Sequence, residues 1–201
     1  MYISRLLYPV EVLGPGKRVG IWMAGCVHHC PGCSNPELWT QDEKYKTDVD
    51  TVMRLIHMLA DDDRVDGFTV TGGDPFYQPD ALRELLPRLY EINRDILVYT
   101  GYEREELPQD ILRYIAVLID GKYVQERNRG EMLRGSDNQR IWVSGEYRER
   151  YEAYAREERS PIQNFAVGNG SVISVGIHLP GYEEKLKEIS AEKGLEEIEN
   201  E

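Results

Sequence analysis

Cys26-Val27-His28-His29-Cys30-Pro31-Gly32-Cys33 decides how this chain of 201 residues is read, because it holds all three of its cysteines. Three thiols in eight residues, with gaps of three and then two, are placed to close on one inorganic centre, and an odd number cannot all pair as disulfides. Iron–sulfur clusters are usually held by four cysteine thiolates, so this set leaves one iron without a protein ligand and open to substrate. The competing arrangement is a closed Cys3His zinc knuckle completed by His28 or His29. Zinc ligands usually come as two separated pairs, whereas one compact triplet is followed here by a chain with no second pair. Immediately upstream, Val19-Gly20-Ile21-Trp22-Met23-Ala24, ending at Gly25, reads as a buried strand that delivers the cysteine loop. Loops at the C-terminal ends of strands are where α/β barrels put their active sites.

Working outward, strands and helices alternate. Residues 1–13 form an apolar lead-in with no clear element, Gly14-Pro15-Gly16 is a turn, and Arg18 borders the first strand with a structural and a ligand role both open. Asn35-Pro36-Glu37-Leu38-Trp39 closes the cysteine loop, with Trp39 packing over it. Thr47-Asp48-Val49-Asp50 resembles a capping box ahead of Val49, Val52, Met53, Ile56 and Leu59 at helical spacing. Asp61-Asp62-Asp63 reads as a solvated helix end, since it lacks the spacing of a calcium loop. Gly67-Phe68-Thr69-Val70-Thr71 is a strand ending in Gly72-Gly73-Asp74-Pro75, whose glycines admit a close approach to the main chain. A helix over 79–93, bent by Pro87, leads to the strand 96–100, and a short helix over 108–114 to the strand 116–120. Asp120-Gly121-Lys122 ends that strand, and a polar loop over 134–139 precedes a strand over 140–143. Such alternation predicts parallel βα units, and right-handed crossovers would curl them into an incomplete barrel.

The Cys-x3-Cys-x2-Cys spacing resembles the radical S-adenosylmethionine (SAM) superfamily. Within it, the ordered series Tyr8-Pro9-Val10, Gly14-Pro15-Gly16-Lys17-Arg18, Cys30-Pro31-Gly32-Cys33, Gly72-Gly73-Asp74-Pro75, Thr100-Gly101-Tyr102, Asp120-Gly121-Lys122 and Arg134-Gly135-Ser136-Asp137-Asn138-Gln139 is similar to the activating proteins of anaerobic, class III ribonucleotide reductases. That resemblance implies an incomplete TIM-like parallel β/α barrel. Cys26, Cys30 and Cys33 would hold a 4Fe-4S cluster whose open iron chelates SAM, and Gly32, Ser34, Gly72, Gly73, Asp74, Asp120, Lys122 and Asn138 would face SAM. It further implies reduction by a flavodoxin or ferredoxin, release of a 5′-deoxyadenosyl radical, and abstraction of hydrogen from a glycine of the reductase, with no side chain acting as general base. Ser34 departs from relatives that carry an aromatic residue there, which leaves open how the adenine is covered.

Residues 1–145 form the expected core domain, and residues 146–201 an α/β extension outside the resemblance. The extension is read as a helix over 146–158, a polar link over 161–170, a strand over 171–177 and an acidic helix or tail from Tyr182. His178 has no cysteine or histidine nearby in sequence to suggest a metal site. A net charge of −12 with no basic cluster argues against a nucleic-acid surface. No run of about 18 apolar residues and no cationic leader is present, which predicts a soluble, cytoplasmic protein with reduced thiols. Two rivals stay open: the same chemistry on another glycyl-radical enzyme or a peptide, and a non-enzymatic zinc-binding interaction module. Metal analysis after anaerobic purification is expected to find about four irons and four sulfides per chain, and zinc without sulfide would establish the module instead.

Overall fold

In the computed structural model, which describes residues 1–59, 65–158, 160–166 and 172–192, the apolar run before the cysteines is a strand buried along its whole length. This strand, β2 (Arg18–Met23), pairs antiparallel with β1 (Ile3–Val10). β1 occupies the lead-in where the sequence shows no element. It is a sheet edge, partly exposed at all but its last residue and broken by two register shifts, so it has neither a period of two nor a continuous apolar run. β3 (Gly67–Gly72), β4 (Ile96–Tyr99) and β5 (Val117–Asp120) follow in parallel, and β6 (Arg140–Val143) closes the sheet antiparallel to β5. The six strands lie in chain order, giving an α/β protein with a mostly parallel central sheet.

Helices α1 (Val49–Leu59), α2 (Pro79–Ile92) and α3 (Gln109–Leu112) connect the parallel strands. α1 starts one residue later than the expected capping box. Asp48 is its cap, accepting from Thr51 N at 2.8 Å through the side chain and from Val52 N at 3.1 Å through the carbonyl. Thr47 is held instead by Met1, whose carbonyl accepts from Thr47 N and whose amino group donates to Thr47 O, both at 2.9 Å. The acidic run 61–63 lies outside the described residues. α2 runs through Pro87 and buries Leu82, Leu85, Leu86 and Leu89. All three helices contribute to one cluster with Val19, Ile21, Phe68, Val70, Ile96 and Val98, the alternate residues on one face of β2, β3 and β4. Fully burying each such side chain stabilises the fold by about 1.5–3 kcal/mol.

The opposite face carries Arg18, Trp22, Leu97, Tyr99, Val117 and Ile119, and the chain's C-terminal segment covers it. α4 (Arg148–Ala155) is shorter than the expected helix and sets Tyr151 and Tyr154 against Leu97, Val117 and Ile119. β7 (Ile162–Ala166) and β8 (Val172–Gly176) form an antiparallel hairpin, followed by α5 (Tyr182–Glu192). β7 falls in the expected polar link. Its residues Ile-Gln-Asn-Phe-Ala lack alternation, and pairing with β8 makes it a strand.

At the start of β2, Arg18 is fully buried, which assigns it a structural role. It donates to Thr69 Oγ1 (2.8 Å), the carbonyls of Phe68 (2.6 Å) and Asp95 (2.9 Å), and Asp95 Oδ1 (3.1 Å). Tyr151 OH donates to the same Asp95 oxygen at 2.6 Å, and Arg150 reaches Asp95 Oδ2 at 3.0 Å, so α4 is tied to this end of the sheet. Replacing one partner of a buried pair strands the other. Arg18→Met should therefore lower unfolding stability by about 3–5 kcal/mol and Tyr151→Phe by about 1–2 kcal/mol, measured by urea denaturation. An unchanged midpoint in Arg18→Met would remove the network from the account of stability.

Candidate metal and cofactor site

The cysteine loop leaves β2 and is clipped shut by backbone bonds, Gly25 N to Leu38 O (2.8 Å) and Cys26 N to Trp39 O (2.9 Å). Leu38 is fully buried at the centre of that clip. Cys33 N donates to Cys30 O at 3.1 Å, making a tight turn in which Gly32 has a φ of +70°. A Cβ at Gly32 would meet only the movable end of the Gln125 side chain, at 2.4 Å, so it is the left-handed backbone conformation that calls for glycine here. The three thiols are unpaired and half-buried. His28 N points at Cys26 Sγ and Asn35 N at Cys33 Sγ, each at 3.4 Å, and such N–H···S contacts are one of the levers on cluster potential. Burial pushes the Cys26 and Cys30 thiols up from their ordinary range. The His28 and His29 N–H groups oppose this at Cys26, as do the Tyr123 N–H and the Lys122 ammonium at Cys30.

Neither histidine joins the thiols. His28 Nε2 lies 3.0 Å from Asp74 Oδ2, an ion-pair distance without the alignment of a hydrogen bond, and its ring sits edge-on to Tyr102 at 4.6 Å. His29 stacks on Trp39 at 4.7 Å, so Trp39 does pack over the loop. Among the described residues, the metal-capable trio whose donor atoms lie within 4.8 Å of one another is Glu103, Glu105 and Asp120, and the three thiols form no such set. Three free thiols on one loop, with both neighbouring histidine rings turned to other partners, suit a cluster with one open iron. The acidic trio already surrounds the Arg140 guanidinium, which reaches Glu103 at 2.7 Å, Glu105 at 2.8 Å and also Asp120.

The other expected residues gather at the same end of the sheet but divide in their duties. Gly73 N donates to Met23 O (2.7 Å) and Asp74 N to Gly25 O (2.8 Å). A Cβ at Gly72 would fall 2.2 Å from Met23 O, and one at Gly73 would fall 2.5 Å from Leu38 O. The close approach that these glycines allow here is to the end of β2 and to the backbone that opens and closes the cysteine loop. Asp74, 1% exposed, accepts from Phe76 N (2.9 Å), Thr100 Oγ1 (2.9 Å) and Gly101 N (2.8 Å). Asp120 accepts from Arg104 N (2.7 Å), Trp142 Nε1 (3.1 Å) and Arg140 Nε (3.1 Å), and from Arg140 Nη2 as well. A carboxylate offers about four acceptor positions. Those of Asp120 are met here from within the chain, which makes the carboxylate at the rim a socket for Arg140 and Trp142. Lys122 is exposed near Cys30, and its carbonyl accepts from Asn138 Nδ2 at 2.8 Å. Asn138 Oδ1 is buried without a hydrogen-bond partner, as a residue waiting on a ligand donor would be.

Two cavities flank Cys33 and Ser34. One of about 160 Å³ is lined by Trp22, Thr71, Tyr99, Tyr123, Gln139 and the end of β8, and one of about 500 Å³ by Gly32, Trp39, Gln125 and the segment leading into α5. Sequence reasoning misses Thr100 as a rim brace and Ser174 and His178 as cavity walls. Thr100 is legible only as part of a motif, and the other two lie in a segment that no motif covers.

A family profile described as a 4Fe-4S single cluster domain matches residues 12–142. The anaerobic ribonucleoside-triphosphate reductase-activating protein of Enterobacteria phage T4 is 38% identical over 144 residues, covering 68% of this chain and 90% of that protein. The protein of the same name from Haemophilus influenzae is 37% identical over 145 residues, 67% of this chain and 93% of that one. That from Escherichia coli K12 is 35% identical over 144 residues, with 66% and 92% covered.

Asp74→Asn places an amide NH2 where three donors converge, and it should cost about 1–3 kcal/mol of stability and lower the iron retained after reconstitution. Wild-type values for both would show that the carboxylate does not hold the rim.

Proposed function

This chain belongs to the anaerobic ribonucleoside-triphosphate reductase-activating protein family, and from that premise we propose that it generates a glycyl radical on such a reductase, using SAM and a 4Fe-4S cluster. The observation that carries the proposal is a loop at the end of β2 that presents three free thiols with both nearby histidines engaged elsewhere. Cys26, Cys30 and Cys33 would hold the cluster and leave one iron without a protein ligand, where SAM binds. When bound, cluster and SAM supply one-electron chemistry that ends in removal of a hydrogen atom from a partner glycine. This chain's residues position and enclose. Gly32, Ser34, Gly72, Gly73, Asp74, Asp120, Lys122 and Asn138 would form the SAM-facing set, with Asn138 Oδ1 as acceptor and with Asp74 and Asp120 also bracing the rim. No side chain serves as general base, because a hydrogen atom carries its own electron.

The finer architecture belongs to the same proposal. Strands in chain order with all three connecting helices on one face support an arc of a radical SAM barrel formed by residues 1–145, with residues 146–201 as an extension. A flavodoxin or ferredoxin would supply the electron, in the reducing cytoplasm. Among the described residues no helix is long and apolar enough to cross a membrane. One observation favours a second target, another glycyl-radical enzyme or a peptide: the family profile stops at residue 142 and leaves the extension unmatched.

The test mixes reconstituted, reduced protein and SAM with the candidate reductase and looks for a glycyl radical by electron paramagnetic resonance. A radical is expected with wild type, and Cys30→Ala should lose both cluster assembly and SAM cleavage. SAM cleavage without a radical on the reductase would point to the other target, and 5′-deoxyadenosine formed by Cys30→Ala would contradict the ligand set.

A further inference from the structure

The hairpin of the extension is seated on the sheet's inner face rather than hung from it. Val175 and Ile177 pack with Leu13 and Trp22, leaving Trp22 3% exposed. Gln163 accepts from Glu11 N at 2.9 Å and donates to Pro9 O at 2.8 Å, while Asn128 Nδ2 holds His178 O at 2.7 Å. The segment between these clamps borders the cysteine loop: Ser174 and His178 line both cavities beside Cys33 and Ser34. The His178 ring is fixed on edge and on face. Its Nε2 lies 2.8 Å from Ser174 Oγ, which lies 3.0 Å from Tyr182 OH, and the ring stacks on Tyr182 at 4.6 Å with an interplanar angle of 27°.

With the site read as one for SAM, we propose that the extension builds part of the cofactor pocket, His178 and Ser174, backed by Tyr182, forming the wall against which the purine of SAM lies. The chemistry of the lining supports this. Tyr99 and Tyr123 face the same inner cavity, Ser34 brings no ring of its own, and a pocket of flat rings with a few polar edges selects a planar heteroaromatic group. The purine is the planar part of SAM, and stacking it on a ring already held in place costs little ordering. Ser174 and His178 are thus binding residues outside the span of the family profile, which ends at residue 142.

The test measures SAM affinity of the cluster-reconstituted full chain by equilibrium dialysis, with iron content and tryptophan emission followed in parallel. His178→Ala should bind about tenfold more weakly, the value of one base–aromatic stack. Its iron content should be unchanged, and so should the part of the emission that a Trp22→Phe control removes, since Trp22 under the hairpin reports docking while Trp39 borders the cavity itself. His178→Phe, which restores a flat ring, should return to within about twofold of wild type. If His178→Ala shifts the emission, the hairpin has undocked and His178→Phe decides: a docked Phe variant as weak as Ala overturns the stacked wall. Wild-type affinity in a docked His178→Ala overturns it as well, and tighter binding would make the hairpin a competitor of SAM. A wild-type protein that holds a cluster yet binds no SAM would sink the reading of the site itself, and the wall with it.

Discussion

The buried carboxylate of Asp74 is the constraint on which the site depends. It sits at the end of β3, almost without solvent, and draws donors from its own turn, from Thr100 and Gly101 at the end of β4, and the imidazole of His28 from the cysteine loop. A charge at that depth without partners would be too costly to keep, so the converging groups are obligatory rather than ornamental. One side chain thereby fixes how three strand ends meet. The cysteine loop carries little regular structure of its own, and it takes its shape from that junction and from the backbone clip at Leu38 and Trp39.

The two ends of the sheet solve the same problem with opposite charges. Parallel strands finish with backbone groups that no neighbouring strand can pair. At the N-terminal end the Arg18 guanidinium supplies donors to the carbonyls of Pro15, Phe68 and Asp95, and at the C-terminal end Asp74 and Asp120 supply acceptors to amides of the following turns. Because Asp95 is shared by Arg18, Tyr151 and Arg150, the first helix of the extension is bound into the lower network rather than appended to it.

Much of this was legible because the responsible forces are local. The apolar runs of β2 to β5, the helical spacing of the leucines in α2 and the thiol spacing each declare themselves within a dozen residues. What escaped depends on distant partners. β1 is an irregular edge, β7 exists through β8, and the cap of α1 moved by one residue because Thr47 is held by Met1. Asp120 carries a motif that suggests a ligand, yet Arg140 and Trp142, on the strand that folds back beside it, fill its acceptor positions. A motif names residues at a rim without saying whether they face a ligand or each other.

The sheet face opposite the helices explains why the C-terminal segment packs where it does. Helices cover only one face of the six-stranded sheet, so the apolar surface bearing Trp22, Leu97, Tyr99 and Val117 has to be covered by something else. In this chain α4 covers the end near Arg18 and the β7–β8 hairpin the end near the cysteines, each anchored by hydrogen bonds to the segment between β1 and β2. Cover and site are then the same object: the residues that keep water from the sheet's interior also bound the cavities beside Cys33. Radical chemistry requires a dry, enclosed space, and an open sheet reaches one only by borrowing wall from elsewhere in the chain or from a partner.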